Sequence, residues 1–139
     1  MEKIKEVTAA IICKNEKILI ARRAPGENMA GGWEFPGGKL EEMETAEECL
    51  KRELFEEFGI AAEIGGFFCD SIYSYPKGTI RLLAYFAQII RGEICLTVHD
   101  QIAWASADEL RQYSLLPADI PIAEKLACHF KNNGNDSLL

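Results

Sequence analysis

The chain has 139 residues, 48% of them apolar, and carries 22 acidic against 15 basic side chains for a formal charge of −7. That is the length and composition of one globular domain, and the negative balance disfavours a nucleic-acid polymer as partner, since binding one requires Lys and Arg to neutralise phosphates. No apolar run reaches the ~18–20 residues of a membrane span, and Met1-Glu2-Lys3-Ile4-Lys5-Glu6 lacks the apolar stretch of a signal peptide, so a cytoplasmic protein with no membrane partner is expected.

Residues 7–13 and 17–21 are apolar, β-branched runs separated by Lys14-Asn15-Glu16, which reads as a hairpin. Residues 24–39 are rich in Gly and Pro and are interrupted only by Trp33-Glu34-Phe35; they read as a long loop containing a short strand. Loops of that length in a small domain are often functional. The clearest helix covers residues 45–58: Thr45 and Glu48 form a capping box, and Gly59 stands where a helix stops. Residues 60–75 and 79–90 read as strands joined by Pro76-Lys77-Gly78. A further strand at 101–105, short helices at 107–112 and 120–132, and a frayed polar tail complete the chain. Mixed strands with few helices point to an α+β or α/β sandwich.

Five scattered cysteines, Cys13, Cys49, Cys69, Cys95 and Cys128, include no C-x-x-C pair and read as small core residues in a reducing compartment. His99 and His129 read as surface residues, and Trp33 and Trp104 as packing residues.

The chemistry concentrates in Gly37-Gly38-Lys39-Leu40-Glu41-Glu42-Met43-Glu44 and in the helix segment Arg52-Glu53-Leu54-Phe55-Glu56-Glu57-Phe58-Gly59. Glu53, Glu56 and Glu57 stand at i, i+3 and i+4, which brings three carboxylates onto one helix face. A solvated acidic face is the commoner explanation of such spacing. Here, at ~100° per residue, Glu57 projects between Ala46 and Leu50, over the stripe that should be buried. Close, partly buried carboxylates need a cation between them, and Mg²⁺ with oxygen ligands suits the role. Gly37 and Gly38 let backbone carbonyls approach without a side chain in the way.

Gly38, Glu44, Arg52, Glu53, Leu54, Glu56, Glu57, Gly59 and Ile60 fill every fixed position of G-x5-E-x7-R-E-U-x-E-E-x-G-U, where U is aliphatic, and the chain thereby resembles the Nudix hydrolases. The resemblance implies an α/β/α sandwich with a mixed central sheet over residues 1–132; the polar residues 133–139 read as a disordered tail, and an exposed strand edge leaves both a monomer and a homodimer open. It further implies that Glu53, Glu56 and Glu57, with the Gly37 carbonyl, hold Mg²⁺, with Mn²⁺ as a substitute. Glu53 would also activate water, and Arg52 and Glu44 would brace the loop against the helix.

Outside the signature, Arg22-Arg23-Ala24, Trp33-Glu34-Phe35-Pro36 and Leu116-Pro117-Ala118-Asp119-Ile120-Pro121 resemble the MutT-type branch and its CTP pyrophosphohydrolase relatives. That branch splits a nucleoside triphosphate into the monophosphate and pyrophosphate, with 8-oxo-dGTP or CTP-like nucleotides as substrates. Arg23, Phe35, Gly38, Lys39, Tyr75 and Asp119 are then the candidate substrate contacts, and Asp100 a candidate acidic ligand or base outside the signature. Each has a plainer alternative: Arg23 a solvated strand end, Phe35 and Tyr75 core aromatics, Asp119 a helix N-cap. A carboxylate at 119 favours a base edge with an amino group, such as cytosine N4. Hydrolysis of ADP-ribose, a dinucleoside polyphosphate or a coenzyme A derivative, a binding module without turnover, and RNA cap removal are the competing expectations.

Overall fold

A computed structural model describes residues 3–132, so the expectation of a disordered tail at 133–139 lies outside the described residues. Strands β1 (Lys5–Lys14) and β2 (Lys17–Arg23) form the expected hairpin, with Lys14 opposite Lys17. The two turn residues, Asn15 and Glu16, both take left-handed backbone at φ 52° and 65°, the geometry whose twist matches antiparallel strands. Strand β3 is the short Trp33–Glu34. Helix α1 (Ala46–Phe58) begins at the Thr45/Glu48 capping box and ends at Gly59, which adopts φ 69°. Strands β4 (Ala61–Tyr75) and β5 (Gly78–Arg91) make the second hairpin, followed by β6 (His99–Ala105) and α2 (Ile120–Asn132).

The expected helix at 107–112 is only a 3-10 turn at Leu110–Gln112. Ser106 and Glu109 close it by reciprocal hydrogen bonds, and Tyr113 returns to extended backbone to set its ring 4.9 Å from Trp33. The last strand begins two residues earlier than expected and takes in His99.

Among the described residues, the strands form one mixed sheet in the order β3-β2-β1-β5-β4, with β6 on β2; β1 runs parallel to β5 and the other pairs are antiparallel. Side chains alternate across it. Ala9, Ile11, Ile18 and Ile20 face α2 through Ile122 and Leu126, while Ala10, Ile12, Leu19 and Ala21 face α1 through Leu50, Leu54 and Phe58. The result is the expected α/β/α sandwich. Cys49 and Cys69 join the core, whereas Cys13, Cys95 and Cys128 are exposed, contrary to expectation.

One departure from a regular sheet creates the site. Strand β1 pairs with β2 only at Cys13 and Lys14, so most of one edge is open, and residues 36–40 lie down on it. Thr8 N donates to Gly38 O at 2.7 Å, Ala10 N to Pro36 O at 2.6 Å, and Leu40 N to Glu6 O at 3.0 Å. A Cβ on Gly37 would stand 2.0 Å from the Thr8 carbonyl oxygen, which explains the glycine there.

Candidate active site

The loop laid on β1 faces α1 across a groove of about 740 Å³. Arg23, Phe35, Gly37, Gly38, Lys39, Glu53, Glu57, Tyr75 and Asp119 all line it, so residues far apart in the chain share one cavity. Arg52, Glu56 and Asp100 do not line it.

Arg52 is a brace. Its Nε and Nη2 make a bidentate pair with Glu44 at 2.7 and 3.0 Å, its Nη1 donates to Glu53 Oε1 at 2.8 Å and Glu56 Oε1 at 3.0 Å, and Nη2 donates to Lys39 O at 3.2 Å. The guanidinium therefore ties loop to helix and holds the Glu44 carboxyl down to a pKa of about 2.

Glu53, Glu56 and Glu57 do not converge as one cage: among the described residues no three carboxylate, His or Cys groups do, because Arg52 draws Glu53 and Glu56 toward itself. Glu57 instead leans on Glu53 and is pushed up to a pKa of about 8, first by burial and then by the charges of Glu53 and Glu34, against which Arg23 is the weaker influence. Glu53 itself is held close by Gly38, where an added Cβ would lie 2.2 Å from the Glu53 carboxyl carbon.

Asp100 is placed away from the groove. It pairs with Arg22 at 2.8 and 3.0 Å on the far side of β2, in a depression with Trp33 and Ser114, and it takes no part in the acidic cluster. Its neighbour His99 is the inward residue instead, and the expectation of a surface histidine fails: its side chain is fully buried, stacked on Phe58 at 5.0 Å, with Nε2 2.8 Å from Glu34 Oε2. Consecutive strand residues point to opposite faces, and the register of β2 against β6 slips between Arg22 and Arg23, which sets which of the two turns in.

Glu34 is the site residue that sequence reasoning passed over. It lines the groove and accepts from Arg23 Nη1 at 2.9 Å with the same oxygen that meets His99. A Glu set between two aromatics in a short loop strand was the available signal.

At the other end of the groove, Asp119 is buried and its Oδ1 accepts from Phe35 N at 3.0 Å. Its carboxylate thus turns toward the loop, not onto the helix that follows. Burial first, and then Glu34, push its pKa well above the ordinary carboxylate value, with the Phe35 N–H pulling the other way. Tyr75 Oη accepts from Ala118 N at 2.9 Å, fixing the ring beside it. The Phe35 side chain is itself buried in the core.

Residues 4–128 match the NUDIX domain. The chain belongs to the Nudix family. As a Nudix chain it is 40% identical over 122 residues to the CTP pyrophosphohydrolase of Escherichia coli K12, covering 88% of this chain and 90% of that one. It is 34% identical over 126 residues to the 8-oxo-dGTP diphosphatase of the same organism, covering 91% and 98%. The solution structure of the E. coli ORF135 protein superposes with a TM-score of 0.79 at 37% identity, over 94% of this chain and 92% of that chain. A MutT protein from Methanosarcina mazei shares the fold at a TM-score of 0.84 and 22% identity, over 94% and 97%.

This Nudix chain is a hydrolase, and Nudix hydrolases generally work with a divalent metal ion. The residues present fit such an ion: Glu53 and Glu57 put hard oxygen donors side by side in one groove, and Glu57, held from ionising first by burial and then by the charge of Glu53, would be relieved by a cation between them.

Proposed function

We propose that the chain is a Mg²⁺-dependent nucleoside triphosphate pyrophosphohydrolase acting on CTP-like or oxidised nucleotides such as 8-oxo-dGTP. The observation that carries this reading is the groove's two-ended character: acidic oxygen donors at Glu53 and Glu57, and a buried carboxyl at Asp119 flanked by Tyr75 and the Phe35 backbone. The names of the E. coli relatives support it.

In this reading Glu53, Glu57 and the Gly37 carbonyl hold the ion, with Glu56 joining on rotation away from Arg52; Mn²⁺ would serve as a substitute. When bound, the ion supplies neutralisation of phosphate charge and lowers the pKa of water. Water attacks phosphorus, the bridging P–O bond breaks, and nucleoside monophosphate and pyrophosphate leave; a Glu53 oxygen accepts the proton. Arg23 and Lys39 flank the phosphates. Asp119 gives one oxygen to the Phe35 N–H and keeps an acceptor oxygen for the base, which would suit the amino group of a cytosine; an amide at this position would add N–H donors and shift the preference.

The test is a panel of triphosphates with Mg²⁺, reading pyrophosphate against orthophosphate, on wild type and Asp119→Asn. Pyrophosphate release and an altered base preference in the variant are expected. Orthophosphate as first product, or no hydrolysis of any triphosphate, would refute the reading.

A further inference from the structure

Glu34 and His99 stand 65 residues apart in the chain and meet inside the sheet. Their contact has three features. His99 Nε2 and Arg23 Nη1 reach the same Glu34 oxygen, Oε2, at 2.8 and 2.9 Å. Glu34 Oε1 has no partner among the described residues, while the residue lines the groove next to the Glu57 end. His99 Nδ1 is buried with no hydrogen-bond partner, although the ring is fully enclosed and stacked on Phe58.

The last feature decides what the imidazole is there to do. A purely structural ring at this position would be better as phenylalanine, which stacks as well on Phe58 and buries no unpartnered nitrogen. The only polar contact His99 makes among the described residues is the one to Glu34, and since Nδ1 faces nothing, the proton shared with the carboxylate is on Nε2. Arg23 pulls on Glu34 from the loop side and His99 from the sheet side; two donors on one oxygen fix the plane of a carboxylate that a single ion pair would leave free to turn.

We propose that His99 is a positioning residue of the hydrolytic reaction: its Nε2–H, together with Arg23, clamps one oxygen of Glu34 so that the other faces the groove as a fixed hydrogen-bond acceptor for the attacking water. Glu34 would be the group that touches the reacting molecules, and His99 acts through it. The proposal deepens the hydrolase reading of the same groove. It concerns turnover before affinity, because the clamped carboxylate lines the groove beside Glu57 and, among the described residues, shares no hydrogen bond with Tyr75 or Asp119, although its charge reaches both.

The experiment compares wild type, His99→Phe, His99→Gln, Glu34→Gln and the double variant His99→Phe/Glu34→Gln, using Mg²⁺ and whichever triphosphate of the panel is cleaved fastest. His99→Phe should lower kcat by about 10- to 100-fold, the range typical of groups that orient a functional side chain, with KM little changed and the thermal midpoint equal or raised. His99→Gln, whose amide nitrogen can replace the Nε2 donor, should recover most of the lost rate. In the Glu34→Gln background His99→Phe should add little, since both act through one carboxylate.

A near wild-type kcat in His99→Phe, a loss confined to KM, or full additivity in the double variant would overturn the proposal. Should His99→Phe fail to fold, His99→Gln decides it: a loss as deep as that of Glu34→Gln counts against the clamp. Nitrogen-15 spectra of the imidazole provide an arm independent of turnover. They should place the proton on Nε2 and show that resonance moving in Glu34→Gln; a proton on Nδ1 would sink the clamp, even in a protein that proved to hydrolyse none of the triphosphates.

Discussion

A methyl group on Gly38 would stand 2.2 Å from the carboxyl carbon of Glu53, and one on Gly37 would stand 2.0 Å from the carbonyl oxygen of Thr8. Adjacent glycines thus guard different things. Gly38 faces the movable end of a side chain, so Gly38→Ala should fold but displace the Glu53 carboxylate, and misplacement on that scale can cost ~100-fold in rate. Gly37 faces fixed backbone, so Gly37→Ala should push the loop off β1 and lower stability by about 1–3 kcal/mol. Thermal melts and initial rates on the two variants separate the cases; equal behaviour would contradict the distinction.

The pKa of Glu57, raised to about 8, has a definite consequence for stability without metal. Between the ordinary carboxylate value of about 4.5 and about 8 the folded chain binds a proton that the unfolded chain has lost, so stability falls as pH rises through that window. Denaturant midpoints in chelator should drop from pH 5 to pH 8 in wild type and much less in Glu57→Gln. Divalent metal should restore the wild type at pH 8 and leave Glu57→Gln nearly unmoved. The same variant should lose most hydrolytic activity.

Glu44 has the opposite sign. Held at about 2 by Arg52, it binds its proton later than the unfolded chain does, so its contribution is present above about 4.5 and disappears as pH falls toward 2. Arg52→Lys, which cannot reproduce the bidentate fork, should return the Glu44 titration toward the ordinary range in carbon-13 spectra and blunt activity by loosening the loop. An unchanged Glu44 titration would show that the guanidinium is not the cause.

Glu16 sits at φ 65° in the turn between β1 and β2, far from the groove. A side chain in left-handed backbone costs about 1–2 kcal/mol, and glycine avoids that cost while giving back part of it as chain entropy. Glu16→Gly should therefore raise stability by roughly 1 kcal/mol, read as a higher denaturant midpoint, and leave hydrolysis unchanged.

The sequence by itself determined the local pieces: the capping box and glycine stop of α1, the two hairpins with their apolar, β-branched strands, and the signature that names the family. These depend on interactions a few residues long, or on a pattern with fixed spacing. Tertiary structure alone decided the rest. Whether His99 or Asp100 points inward depends on a register slip against β2, and one step along a strand exchanges the faces. His99, one of the two partners of Glu34, lies 65 residues away from it, and the partner of Asp119 lies 84 away, distances over which no local spacing rule operates. The carboxylates of α1 could be placed on one helix face from spacing, but the direction in which Glu53 and Glu56 lean was set by Arg52, whose own orientation follows from Glu44 at the end of a loop laid along the open edge of β1.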